Sequence, residues 1–273
     1  MLAELLKTLP FDWAQYDFMH MALLGIVLLA PLFAVLGCLV ISNHMAFFAD
    51  AIGHSALTGI AIGVLAGLHE PLWAMLGFAV LLALAVAVLR RLELAPTDAV
   101  IGLVMSFTVA LGIVLLSRQG GFHRYTRYLV GDILTIAPAD LLRVGALVLA
   151  TLAVLAWNYN RIVLVTIHRP VAASRGVPVW RTELLFTMLV AVSVTVSIAW
   201  MGLLVINSLL ILPAAAARNL ARSAAAYVLY AVAFSLTAGI GGLIASYYLS
   251  TATGATMVLG AMGIFVVSAL ARR

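Results

Sequence analysis

Cysteine and lysine are almost missing from this chain of 273 residues: Cys38 and Lys7 are the single examples of each. One cysteine excludes an internal disulfide and a thiolate metal cluster, and Cys38 reads as a small buried filler in a helix. One lysine, preceded by Leu6 rather than glycine, excludes a P-loop, whose phosphate cradle needs G-x-x-x-x-G-K-[ST]. Charge of either sign is scarce, at 9% of residues against about 25% in a soluble domain. With 65% hydrophobic residues, the chain has too little polar surface to dissolve and is read as an integral membrane protein. A G-x-S-x-G nucleophile motif is absent, as are the several buried acids and histidines of a proton relay. No basic cluster interleaved with aromatics points to nucleic acid.

No internal repeat, low-complexity tract or linker divides the sequence, so residues 1–273 are read as a single transmembrane domain, with 1–19 as an interfacial N-terminal segment. LAELLKTLP holds an acid, a lysine and a proline ahead of any sufficient apolar core, which is unlike a secretory signal. Trp13, Tyr16 and Phe18 suit the lipid–water boundary.

Long apolar runs are what the chain does have. Nine segments, near 20–41, 46–67, 71–89, 97–116, 136–157, 183–200, 202–217, 224–249 and 254–271, each approach the ~20 residues that a helix needs to cross hydrocarbon. They predict an all-α polytopic membrane protein of about nine spans, or eight if two neighbours form one bent unit. Arg90 and Arg91, then Arg161, Arg169, Arg175 and Arg181 in a long loop from Asn158 to Thr182, then Arg218 and Arg222, and finally Arg272 and Arg273 fall on one side in a nine-span count. The excess of arginine marks that side as cytoplasmic, which places the N-terminus outside and the C-terminus inside. One loop departs from the rule, with Arg118, Arg124 and Arg127 on the outer face. Two readings are open for it: an interfacial or re-entrant segment meeting lipid phosphates, or a landing surface that pairs with carboxylates of a partner.

Asp50 and His54 are the sharpest chemical signal. They lie four residues apart in MAFFADAIGHSALTGIAIGVLAGL, so a helix stacks them on one face. A central Asp costs roughly 2.5–3.5 kcal/mol in a membrane helix on insertion scales. One oxygen and one nitrogen ligand facing the same point suit a divalent transition metal. A structural alternative has Asp50 near the start of the span and His54 bonded to a neighbouring backbone. Gly53, Ser55, Ala56, Gly59 and Gly63 would let other helices approach closely, and a second copy of the chain could complete the ligand set. His20, His44, His69, His123 and His168 lie at span ends or in loops, where solvated or interfacial roles are expected. Glu70 and Pro71 read as a turn, Asp98 as part of a helix N-terminus, and Asp132 as a polar residue beside a glycine turn.

Four blocks, MAFFADAIGHSALTGIAIG, YLVGDILTIAPADL, VAASRGVPVWRTELL and GLLVINSLLILPAAAARNLARS, resemble, in order and spacing, the permease subunits of bacterial ABC importers for zinc, manganese and iron. The resemblance implies a multi-pass inner-membrane protein that is not itself an enzyme. It implies a homodimer or close pair of permeases, two cytoplasmic ATPase subunits that alone bind ATP, and an extracytoplasmic metal-binding protein. The metal is then cargo, with no permanently bound cofactor. The family's aspartate and histidine fall on Asp50 and His54, and its ATPase-coupling segment on Ala172, Ala173, Ser174, Arg175 and Gly176, for which a short helix over Val171–Arg175 is expected. Arg118, Arg124 and Arg127 become a candidate docking surface for the binding protein. Two positions depart from the family pattern: Ser106 stands where zinc-type relatives can carry a histidine, and Ser250 where many have an acid. Both are kept as accessory candidates. Zinc is preferred as cargo because two Asp/His pairs make a four-coordinate set, with manganese or iron(II) next. The alternatives are a permease for an organic metal chelate, which needs no ionisable ligands, and an intramembrane metal-dependent enzyme, which needs a third ligand and a general base.

Overall fold

A computed structural model describes residues 11–68, 70–93, 95–117 and 133–271. Those residues form helices and turns with no strand: α1 Asp17–Ser42, α2 Phe48–Leu65, α3 Pro71–Arg91, α4 Thr97–Ser117, α5 Pro138–Ile167, α6 Arg169–Ser174, α7 Val179–Leu220, α8 Ala224–Leu249 and α9 Thr253–Leu270. All but the six-residue α6 are long and apolar enough to cross a membrane, giving eight candidate spans among the described residues.

The helix ends follow local chemistry. Glu70 is the N-cap of α3 and Pro71 opens the helix, where its missing N–H costs nothing. Asp98 sits in the first turn of α4, where an acid suits the dipole. Ahead of α1, a single 3-10 turn at Asp12–Gln15 is tied down by His20, whose Nε2 lies 2.7 Å from the Ala14 carbonyl oxygen. His20 is fully buried, so of the solvated or interfacial roles expected there, the solvated one is corrected. A backbone carbonyl six residues back supplies the partner that burial requires. His44 and His168 do lie at exposed turns, and Cys38 is buried as expected.

The sequence reading ended the fifth span near residue 157, but α5 runs on to Ile167. Ile162 and Val165 are buried three positions apart, so the apolar face continues past Asn158 and the exposed Arg161. The loop predicted over Asn158–Thr182 therefore shrinks to residues 168–178, which include α6.

The sixth and seventh predicted segments share one 42-residue element, α7, broken at Gly202 with φ 74° and ψ 161°. Only glycine reaches that backbone region without clash between Cβ and its neighbours. At 1.5 Å per residue the element amounts to roughly 63 Å of helix, about twice the ~30 Å of hydrocarbon. The count of eight helices and the nine-segment reading differ at this break.

The chain divides into two compact units, one drawn from Met1–Cys38, Asp132–Ala150 and Trp200–Arg273, the other from Leu39–Gly131 and Thr151–Ala199. In the first, helices approach through small residues. A Cβ on Gly37 would run into the Leu210 carbonyl, and one on Gly242 into the Met257 backbone. Ser235 Oγ donates to the Ala30 carbonyl at 3.0 Å, and Asn219 Nδ2 donates to Ser268 Oγ at 3.1 Å. Such close contacts give membrane helices the van der Waals packing that replaces a hydrophobic drive. In the second unit α2 packs on both α3 and α4, with Gly59 against the Met75 backbone and Gly112 against Thr58. Trp73, Phe107 and Trp157 are exposed on α3, α4 and α5, apolar surface that lipid would cover.

Gly202 gives a direct test of the broken helix. Gly202→Ala should cost about 1–3 kcal/mol and lower the thermal midpoint in detergent. Gly241→Ala, whose added methyl meets nothing within 4 Å, should not. Equal midpoints for the two variants would contradict the break.

Candidate functional site

Asp50 lies in the first turn of α2, and His54 Nε2 is 3.5 Å from Asp50 Oδ1. The i, i+4 spacing brings carboxylate and imidazole together on one face, as the sequence predicts. The side chains keep 33% and 40% of their exposure, so the pair is open to an incoming ion. The small residues around it serve other purposes. Gly59 and Gly63 meet Met75 and Ala74 of α3, and Ser55 Oγ lies 3.0 Å from Thr108 Oγ1 of α4. Gly59 sits roughly 140° round the helix from His54. Close packing therefore fixes α2 against its own neighbours and leaves the ligand face to one side.

The turn before α2 lies among the ends of three other helices. Asn43 Nδ2 donates to Thr166 Oγ1 of α5 at 2.9 Å, and Arg90 Nη1 of α3 donates to Met45 Sδ at 3.0 Å. Asn43, His44, Arg90, Thr97, His168 and Arg169 are among the residues lining a single cavity at this end. The Asp50–His54 pair thus stands one to two turns from the end of the unit that carries Arg90, Arg91, Arg169 and Arg175.

Helix α6 is built as a short rigid cap. His168 is its N-cap and accepts the Val171 N–H at Nδ1, 3.4 Å away. At the other end the Val177 N–H reaches the Ala172 carbonyl and the Gly176 N–H the Ala173 carbonyl, each at 3.0 Å. This is a Schellman closure, with Gly176 in the left-handed conformation at φ 74°. Ala172 is fully buried, whereas Ala173, Ser174, Arg175 and Gly176 are exposed. The helix occupies Arg169–Ser174, two residues ahead of the expected start at Val171. Arg169 forms an ion pair with Glu183 in α7, and Arg91 stacks over the Trp180 ring with 5.2 Å to its centroid.

The accessory candidates lie on other helices. Ser106 is exposed on α4, two residues and therefore roughly 200° from the α2-facing Thr108. Ser250 belongs to the other unit, where it ends α8 in the left-handed conformation with φ 52°. Among the described residues no group of three or more His, Cys, Asp or Glu side chains is placed to hold a metal. Arg118, Arg124, Arg127, Asp132, His69 and His123 lie outside the described residues. The sequence reading passed over Glu183, although a signal was present: beyond Asp140 it is the chain's one acid.

A polytopic helical membrane protein is defined by these features, with an Asp–His pair on one of its apolar helices. The chain matches the ABC 3 transport family over residues 15–272 and belongs to it. It is the membrane-spanning permease of such a transporter rather than an enzyme, and ATP hydrolysis belongs to a separate subunit. Among curated relatives, the high-affinity zinc uptake system membrane protein ZnuB of Haemophilus influenzae is 31% identical over 94% of this chain and 99% of its own length. The manganese transport system membrane protein MntC of Listeria innocua is 30% identical over 94% of this chain and 91% of its own. Among solved structures, PsaBC from Streptococcus pneumoniae in complex with Fab superposes with a TM-score of 0.80 at 25% identity, covering 98% of this chain and 95% of that one. The resemblance first seen in four sequence blocks thus extends over nearly the whole chain.

Proposed function

We propose that this chain is the permease of a bacterial inner-membrane ABC importer for a divalent transition metal, with zinc preferred and manganese or iron(II) next. The observation that carries the reading is the Asp50–His54 pair, 3.5 Å apart and part-exposed on a membrane helix of an ABC 3 family member. The curated relatives named for zinc and manganese transport support the same cargo class.

One carboxylate and one imidazole do not fill a coordination sphere. A second permease copy would add the same two groups and give four ligands, the number zinc favours. A transport site must bind strongly enough to take the ion from water and weakly enough to release it, so a sparse site suits the task. Ser106 and Ser250 remain accessory candidates that a second copy or another conformation would have to bring in. The organic-chelate alternative makes no use of Asp50 and His54, and the enzyme alternative is excluded by the family.

The arginine pattern sets the orientation in this reading. The end of the second unit that carries α6 faces the cytoplasm, where Ala172 to Gly176 meet an ATPase subunit. If α7 passes twice on either side of Gly202, the N-terminus lies outside and the C-terminus inside. Arg118, Arg124 and Arg127 then face outward and offer a docking surface for a metal-delivering binding protein.

Asp50→Ala and His54→Ala should each lower uptake of radioactive zinc by about tenfold or more, the scale at which lost coordination reduces metal binding, with normal expression and membrane insertion. Parental uptake in both variants would sink the metal-site reading. Loss of zinc uptake with manganese uptake kept in His54→Ala would shift the preferred cargo to manganese, which favours oxygen ligands. A Ser174→Cys variant should crosslink to the ATPase subunit and resist an impermeant thiol reagent in intact cells. Labelling from outside would overturn the orientation.

A further inference from the structure

Glu183 is only 16% exposed and pairs with Arg169 of α6, which is 46% exposed. Arg90 of α3 and Glu183 line one cavity of about 10 Å³, together with Asn43, Thr166, Thr182 and Phe186, close to the room one water needs. The acid therefore meets arginines from two other elements, Arg169 as an ion-pair partner and Arg90 across a shared cavity.

The connections continue in both directions. Arg90 donates to Met45, buried in the turn five residues before Asp50. Asn43 in that turn is held by Thr166 of α5. Arg91, next to Arg90, lies over Trp180, three residues before Glu183, a second tie between α3 and α7. Helix α6 is thus linked through side chains to α7, α3 and the turn that starts the Asp50–His54 helix. Each link lies within the second unit.

We infer that the Arg169–Glu183–Arg90 triad, an ion pair with a second arginine on the adjoining cavity, is the transmission element of the transporter: through α7 it ties α6 to α3 and the 43–47 turn, so that movement imposed on α6 reaches the Asp50–His54 helix. The inference rests on the proposed contact of α6 with an ATPase, and assigns Glu183 and Arg169 as positioning residues that do not touch the cargo. The charge arrangement fits this role. An ion pair across a part-buried junction has a defined geometry and resists sliding, whereas apolar contact in lipid has little directional preference.

The variants follow from the charges. Arg169→Gln leaves Arg90 on the cavity beside Glu183 but releases α6. Arg169→Lys keeps the charge. Glu183→Gln releases α6 and leaves Arg90 and Arg169 unbalanced.

The test uses the permease–ATPase complex in nanodiscs, in a Cys38→Ala background, with spin labels at Phe47 and Ser174, both exposed. In the parent and in Arg169→Lys, one label distance should persist between the nucleotide-free and the vanadate-trapped ATP states. In Arg169→Gln that distance should broaden and shift with nucleotide, and zinc moved per ATP hydrolysed should fall by at least tenfold, measured with zinc-loaded binding protein in proteoliposomes. Glu183→Gln should behave like Arg169→Gln. A parental distance distribution in Arg169→Gln, or a broadened one with zinc per ATP unchanged, would overturn the inference. A parental complex that moves no metal would count against the proposed cargo instead, and the label distances would still decide the role of the triad.

Discussion

Inside a bilayer there is no water to solvate a charge, and a charged side chain must find a partner or retreat to the boundary. Most of this chain's arrangement follows from that constraint. Arginines collect at helix ends, and apolar faces such as those bearing Trp73, Phe107 and Trp157 are left outward. Several buried polar side chains are hydroxyls that bond to the backbone, as Ser235 does to Ala30. The groups that break the pattern do so in pairs: Asp50 with His54, and Glu183 with Arg169. Both lie in the second unit, toward the same end.

In the proposed reading the two pairs have complementary roles. Asp50–His54 keeps part of its exposure, as a transient ion site requires. The Glu183 carboxylate is largely covered, as a mechanical junction requires. The turn at residues 43–47 lies between them, held by Asn43 on Thr166 and by Arg90 on Met45. Small residues have a separate task, setting α2 against α3 and α4 through Gly59, Gly63 and Ser55. Ligand geometry on α2 is therefore a consequence of packing on its other faces.

Much of this was legible in the sequence. Apolar runs located every long helix, because a bilayer demands length and apolarity together. The i, i+4 spacing was enough to place Asp50 beside His54. The sequence divided α7 into 183–200 and 202–217 and allowed two neighbours to form one bent unit, and the φ of 74° at Gly202 lies at that division. The end of α5 was missed because Asn158 and Arg161 read as a loop, while Ile162 and Val165 keep one face buried. The burial of His20 was not legible because its partner is the Ala14 carbonyl, and a backbone partner leaves no trace in residue identity. Glu183 was overlooked for a similar reason: its partner Arg169 is 14 residues away across α6, and nothing in local periodicity joins them.

The central claim is that two Asp50–His54 pairs hold the cargo ion, and its coordination sphere tests this most directly. Zinc K-edge X-ray absorption on the permease–ATPase complex, prepared without binding protein and with one zinc per permease pair, should show only nitrogen and oxygen neighbours at about 2.0–2.2 Å. Imidazole scattering from two histidines should be present and should vanish in His54→Ala. An imidazole signal that survives in His54→Ala, or sulfur at about 2.3 Å, would contradict the account.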